Sequence, residues 1–266
     1  DMERGLKTSE LKGMARRVLV GKYGISAGLL TVMALVCMGG GVLIFAPVFV
    51  MAGMAVASDI NSSNGIALIL GTYGVILLLA FVFNMVYALF TAGSVRFFYN
   101  VCTGQPYGIG DLLFAFKNRW YRFVGLNLIV SLVGVVMNIP YLVVMVAAEL
   151  EPWAEWLQVL EFLLMILGTV LGIVFQLFFG LASLILVEDR QKGVFVSMGE
   201  SARLMRGNVL RLIVLGLSFL GSILLSVLSC YLGFLWTVPY MSCAYIYFYL
   251  DIKRRREGEY VSGAEM

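Results

Sequence analysis

The sequence contains no histidine. That excludes a serine–histidine dyad and any cysteine–histidine zinc site. Its four cysteines, Cys37, Cys102, Cys230 and Cys243, are scattered and mostly lie within apolar runs. They make neither a disulfide framework nor a metal-ligand spacing, and each reads as a small hydrophobe. Charge is scarce too, at 13% of residues, where soluble domains carry about 25%. No ionisable residue falls near the middle of an apolar run. A proton relay, an ion-coupled pump and proteolysis by paired intramembrane aspartates therefore lack their carriers. Gly108-x-Gly110 has no strand before it and no phosphate-binding lysine, so it reads as a turn. No cofactor and no metal is expected.

Apolar residues are abundant, at 61% of the chain and a mean hydropathy of +0.94. A water-soluble fold cannot hide that much apolar surface, so the class is an all-α, polytopic membrane protein. Met2 reads as the natural start, with Asp1 a remnant before it. Six spans are expected, at 23–57, 65–101, 123–148, 162–187, 212–230 and 233–250, within one domain covering 1–266. The first should be bent or broken around Gly39–Gly41 and Pro47, or else hold a re-entrant segment. The polar turn 58–64 closes it, and the acidic stretch 149–161 reads as an interfacial turn of helix. Leu212 to Leu250 is too long for one crossing of about 20 residues. A reversal at Cys230–Gly233 divides it into two legs. Ser218, Ser222, Ser226 and Ser229 then form a seam against the last span.

Short basic amphipathic helices are expected at 9–22, 111–121 and 194–210, each lying in the interface before an odd-numbered span. In the first, Leu11, Met14, Ala15, Val18 and Leu19 share one face. The first and third junctions share wording, with Gly21-Lys22 matching Gly207-Asn208. Three parallel units, each an interfacial helix plus a hairpin, explain this. So does the simpler rule that any chain entering a span from the cytoplasm is basic and amphipathic.

Sorting Lys and Arg by segment gives the strongest inference. The N-terminal segment holds six and residues 96–122 hold four. Residues 188–211 hold five and the C-terminal tail four, which accounts for all 19. The three intervening loops hold none. By the positive-inside rule both termini are cytoplasmic and the span count is even. The setting is the cell (plasma) membrane.

Three stretches carry a family resemblance: ELKGMARRVLVGKYG, GSVRFFYNVCTGQPYGIGDLLFAF, and ESARLMRGNVLRLIVLGLSFLG followed by LGFLWTVPYMSCAYIYFYLDI. Together they resemble a bacterial integral membrane family catalogued as domain of unknown function nine-seven-five. The pattern is also similar to the membrane domain beside some glycerophosphodiester phosphodiesterases. The resemblance implies six spans in a low-GC Gram-positive type of bacterium. It implies no reaction and supplies no catalytic residues, and no phosphodiesterase catalytic domain is present.

The leading functional expectation is a non-enzymatic protein that binds lipid or a membrane partner through its basic face. The candidates are Arg16, Arg17, Arg96, Arg119, Arg122, Arg203, Arg206 and Arg211, with Trp120 and Tyr121 as interfacial anchors. The topogenic role alone also accounts for these charges, and nucleic acid is not needed to explain them. Partners are membrane lipids, a membrane protein or a second copy of the chain. The alternative is a transporter or channel for a small neutral or amphipathic solute. It would use the intramembrane polar residues Asn84, Asn127, Asn138, Gln176 and Tyr240, which otherwise bond neighbouring helices.

Overall fold

The computed structural model describes residues 5–57, 63–150 and 154–256. Most of the polar turn at 58–64, together with Trp153 and the tail beyond Arg256, lies outside these residues. The chain is helical throughout, with no strand among the described residues. α1 is Thr8–Leu19, α2 Tyr23–Ala57 and α3 Ser63–Thr103. A 3-10 turn at Ile109–Leu113 leads into the single-turn α4, Phe114–Lys117, and then α5, Trp120–Leu150. α6 is Glu155–Phe179, α7 Ala182–Glu188 and α8 Val194–Met205. α9 is Val209–Leu217, α10 Leu220–Leu228 and α11 Phe234–Arg256.

Among the described residues, five helical stretches are long and apolar enough to cross a membrane: Tyr23–Val50, Gly74–Thr103, Trp120–Ala148, Glu155–Glu188 and Val209–Leu228. The fourth joins α6 to α7 and the fifth joins α9 to α10. This fits a multi-pass membrane protein. α11 is more polar, because Tyr240, Tyr245, Tyr247 and Tyr249 interrupt its apolar run. It nevertheless packs centrally, in contact with α1, α2, α3, α8 and α10. Phe248 and Tyr249 are completely covered there.

Several boundaries depart from the sequence reading. α2 runs unbroken through Gly39–Gly41 and Pro47, as one helix without a re-entrant segment. A backbone in lipid has no water to bond, so staying helical is its cheapest course. The stretch expected as one helix at 111–121 is instead a 3-10 turn and one α turn, and Trp120 and Tyr121 open α5. Trp156 and Glu161 belong to α6 rather than to a separate interfacial turn. The fourth stretch breaks at Gly180–Leu181. A side chain on Gly180 would meet the Gln176 carbonyl at 2.6 Å and the Tyr245 hydroxyl at 3.1 Å, so its bareness lets α11 come close. The fifth breaks at Ser218–Phe219. There the Ser218 hydroxyl donates to the Leu215 carbonyl at 2.6 Å, and Lys12 Nζ donates to the Ser218 carbonyl at 2.7 Å. Both bonds compete with helical continuation.

The reversal between α10 and α11 falls where expected. Cys230 and Tyr231 take positive φ values of 52° and 68°. The Tyr231 N–H reaches back to the Ser226 carbonyl at 3.0 Å, closing the end of α10. The serine seam is real but narrower than the sequence suggested. Ser226 is buried and hydrogen-bonds the Thr237 hydroxyl at 2.8 Å. Ser222 is half-buried, while Ser218 and Ser229 are exposed. The break at Ser218 rotates α9 relative to α10, so one helical spacing does not hold across both.

α1 buries Leu11, Ala15 and Leu19, with Met14 and Val18 partly covered. That is the face the sequence marked, but it packs mainly on α11 rather than lying open in an interface. Between each short element and the long helix after it sits one left-handed residue. These are Gly21 at φ 76°, Arg119 at φ 44° and Gly207 at φ 85°.

Candidate functional site at the basic end

The four basic segments are brought into contact with one another. Arg211 donates to the Leu6 carbonyl at 2.8 Å and to Asp251 Oδ2 at 2.9 Å, and the Leu6 N–H points to Asp251 Oδ1 at 3.4 Å. Arg255 also pairs with Asp251, at 3.2 Å. The start of the chain, the α8–α9 junction and the end of α11 therefore share one buried carboxylate. A second carboxylate, Glu188 at the end of α7, accepts from the Tyr99 hydroxyl at 3.0 Å, the Tyr249 hydroxyl and Lys253 Nζ at 2.7 Å. This joins α3, α7 and α11. The sequence reading counted cations and passed over these two acids, whose partners are far away in sequence.

The predicted cations divide into spent and available groups. Arg211 is ion-paired. Arg122 is buried, donating to the Arg190 carbonyl at 2.7 Å and the Asp189 carbonyl at 2.9 Å, with no partner on its Nε. It thereby holds the chain just after α7 against the start of α5. Arg16 and Arg17 are exposed on α1, and the Arg16 guanidinium stands 5.4 Å from the Tyr240 ring. Lys12, one turn earlier, lies 4.5 Å from the Phe219 ring. Burial, with Arg16 nearby, lowers the Lys12 pKa from its ordinary value. Arg203 and Arg206 are exposed at the end of α8.

Arg96 joins Arg190 in a cluster that sequence reasoning did not resolve, and Arg119 follows in the chain the Asn118 that Arg190 reaches. Arg96 from α3 and Arg190 from the α7–α8 loop both stack on Phe114 of α4, at 5.1 Å and 5.3 Å from the ring centre. Phe114 is buried. Cations over an aromatic face are attracted by its quadrupole, which offsets part of the repulsion between them. Arg190 also reaches Asn118 Oδ1 at 3.5 Å, next to Arg119. Trp120 and Tyr121 stand beside them at the start of α5, exposed, with rings edge-to-face at 6.4 Å. Only the spacing of Arg119-Trp120-Tyr121-Arg122 hinted at this arrangement. Arg190 and Phe114 carried no signal of their own.

The intramembrane polar residues do not converge. Asn127 Nδ2 donates to Asn84 Oδ1 at 2.6 Å, tying α5 to α3. Asn138 donates to the Gly134 carbonyl of its own helix at 2.8 Å. Gln176 is exposed on α6. Tyr240 is buried against Phe219 and beneath Arg16, so it belongs to the basic layer rather than to the middle of a span, and its hydroxyl has no partner. Among the described residues no cluster of side chains could hold a metal ion.

Residues 2–256 match the model of a family described as "Protein of unknown function (DUF975)", and the chain belongs to that family. No curated protein and no solved structure matches it.

Proposed function

We propose that this member of the family is a non-enzymatic, multi-pass protein of the bacterial cell membrane. Its basic end faces the cytoplasm and binds lipid headgroups. The observation that carries this reading is the set of exposed arginines at this end without an ion pair among the described residues, one of them, Arg119, directly before the exposed rings of Trp120 and Tyr121. Aromatic side chains with one polar edge favour the level of the headgroups, and basic residues there gain about 1 kcal/mol each from anionic lipid.

Six crossings belong to the same proposal. Leu6 and Asp251 meet through Arg211, so the residue before α1 and the last turns of α11 lie at one level, which calls for an even number of crossings between them. With five strongly apolar stretches, α11 is the one that returns the chain. The positive-inside rule puts that shared end in the cytoplasm. Transport of a small solute has less support, because Asn84, Asn127 and Asn138 are engaged in contacts within and between helices.

The test uses full-length protein in liposomes carrying photoactivatable lipids. Cross-linking should favour anionic over zwitterionic headgroups and fall as salt rises. Equal labelling of both classes would defeat the lipid reading. Topology is checked separately, with single cysteines in a cysteine-free background. Those at Ser63 and Gln158 should react with an impermeant thiol reagent on intact cells. Those at Gly108 and Lys192 should react only after permeabilisation.

A further inference from the structure

The lipid-binding reading leaves open which cations touch a ligand and what that ligand must carry. Among the arginines without an ion pair, Arg96 and Arg190 are set apart by standing over the same ring, Phe114, with Arg119 nearby in the chain. Arg96, Arg119 and Arg190 come from α3, the α4–α5 junction and the α7–α8 loop, and none has an ion-pair partner among the described residues. Their hydrogen bonds are weak. Arg96 reaches the Val187 carbonyl at 3.4 Å and Gln105 Oε1 at 3.5 Å, and Arg190 reaches Asn118 Oδ1 at 3.5 Å. Those lengths lie beyond the usual 2.7–3.2 Å range for an N–H donor, so the donors remain available to a stronger acceptor.

The nearby carboxylates are committed elsewhere. Asp111 accepts from Asn100 and from the Gly108 N–H, each at 3.2 Å. Asp189 accepts from the Gln191 N–H at 2.8 Å, a bond that heads the causes holding its pKa below the ordinary value. Glu188 is held by Tyr99, Tyr249 and Lys253. Asp111 acts on Arg96 through space, but neither it nor Asp189 ion-pairs with Arg96 or Arg190, whose N–H groups stay open to an incoming anion.

Backbone conformation adds an independent observation. At the junctions before α2 and α9, the left-handed residue is glycine, which takes that conformation at little cost. Before α5 the same place is filled by Arg119, at φ 44°. A residue with a β-carbon is strained there, and strain of that kind collects at functional sites. Arg122 supports the arrangement from below by gripping the carbonyls of Asp189 and Arg190.

We propose that Arg96 and Arg190, both over Phe114, together with the exposed Arg119 beside Asn118, form a binding site for a phosphomonoester group, with Arg122 as a positioning residue. Such a group carries close to two negative charges near neutral pH and presents three acceptor oxygens. It is the ligand chemistry that three guanidinium forks, approaching from different elements, complement best. Trp120 and Tyr121 favour a membrane lipid as its source. The assignment rests on the lipid-binding reading but can fail separately from it.

The experiment titrates fluorescent phosphatidic acid, phosphatidylglycerol and phosphatidylcholine into full-length protein in detergent. It uses wild type and the variants Arg190→Gln, Arg119→Gln and Arg254→Gln. Arg254 is an exposed cation of α11 outside the cluster. Wild type should prefer phosphatidic acid, and Arg190→Gln and Arg119→Gln should each weaken it about tenfold, the worth of one charge-assisted hydrogen bond. Arg254→Gln should leave it unchanged, and all variants should keep the wild-type thermal midpoint. Equal weakening by Arg190→Gln and Arg254→Gln would overturn the site while leaving a diffuse basic face that binds lipid. Equal affinity of wild type for all three lipids would overturn both. A third arm adds inorganic phosphate and glycerol phosphate. Displacement of phosphatidic acid by either at comparable affinity would uphold the site and assign it to a soluble phosphate, against the lipid reading.

Discussion

Within single helices the two halves of this molecule have opposite surroundings. On α2, Leu29 is completely covered while Phe49 is 77% exposed. On α5, Phe123 is buried and Val143 is 62% exposed; across α6 and α7, Ile185 is covered and Phe162 is exposed. The covered half is the one that carries the basic residues. In lipid an apolar side chain gains nothing by moving from acyl chain to neighbouring helix, so the far half has little reason to pack tightly. At the basic end water is near, and burying Leu19, Phe97 and Phe248 yields the usual gain of about 25 cal/mol per Å2 of apolar surface. That end also holds the ion pairs, so it sets the mutual placement of the helices while the apolar halves solvate in the bilayer.

The largest predicted effect tests this division directly. Asp251→Ala removes the carboxylate shared by Arg211, Arg255 and the Leu6 N–H. Breaking a buried pair by deleting one partner leaves an uncompensated charge. The loss here should be about 3 kcal/mol, near the low end of the range because both arginines are partly exposed. Val143→Ala, in the exposed half of α5, should cost less than about 0.5 kcal/mol. Thermal unfolding in detergent, followed by tryptophan fluorescence, reads both. If Val143→Ala were the more damaging, the apolar half would be the true scaffold.

A second comparison sets one glycine from each half side by side. Gly93 on α3 backs onto the 3-10 turn, where an added methyl would run into the Leu112 backbone. Gly40 on α2 faces the Phe83 ring. A ring can turn aside, but a backbone held by the Asp111 and Asn100 contacts cannot do so cheaply. Gly93→Ala should therefore lower stability by about 2 kcal/mol through overpacking. It should also disturb Phe114 and weaken phosphatidic acid binding. Gly40→Ala should cost less and leave binding intact. Equal losses of stability, with binding retained in both, would show that the 3-10 turn yields as easily as a side chain.

The long helices were legible because lipid imposes a length and an apolar composition that can be read residue by residue. The boundaries of α2 at Tyr23 and Ala57 coincide with the first expected span. The reversal before α11 was legible too, since a tight hairpin needs a loosened stretch at its midpoint. What stayed hidden depends on partners distant in the chain. The bond from Leu6 to Asp251 joins residues 245 positions apart. A count of positive charges gives orientation but cannot tell Arg211, which is neutralised, from Arg190, which is not. Nor does the sequence announce that Arg119 takes a glycine's conformation, because that follows from the loop closing onto Arg122 rather than from local preference.

The smallest predicted effect concerns the pair that joins α3 to α5 away from the charges. Asn127 donates to Asn84 at 2.6 Å, a short bond between two neutral amides. Its environment argues against a large contribution. Asn84 is exposed, so in the bilayer its other polar atoms have no protein partner to lose. In the unfolded but membrane-inserted chain each amide also finds alternative acceptors, which is why such bonds average only about 0.6 kcal/mol. A double-mutant cycle of Asn84→Ala and Asn127→Ala, measured by thermal unfolding in lipid nanodiscs, should give a coupling of about that size. The ranking of Asp251 first and Asn127 last would then follow one rule, in which a polar contact matters in proportion to the charge left stranded without it. A coupling near that of the Asp251 pairs would instead mean that this point on α3 and α5 is a second anchor. The apolar half would then have a specific lock of its own.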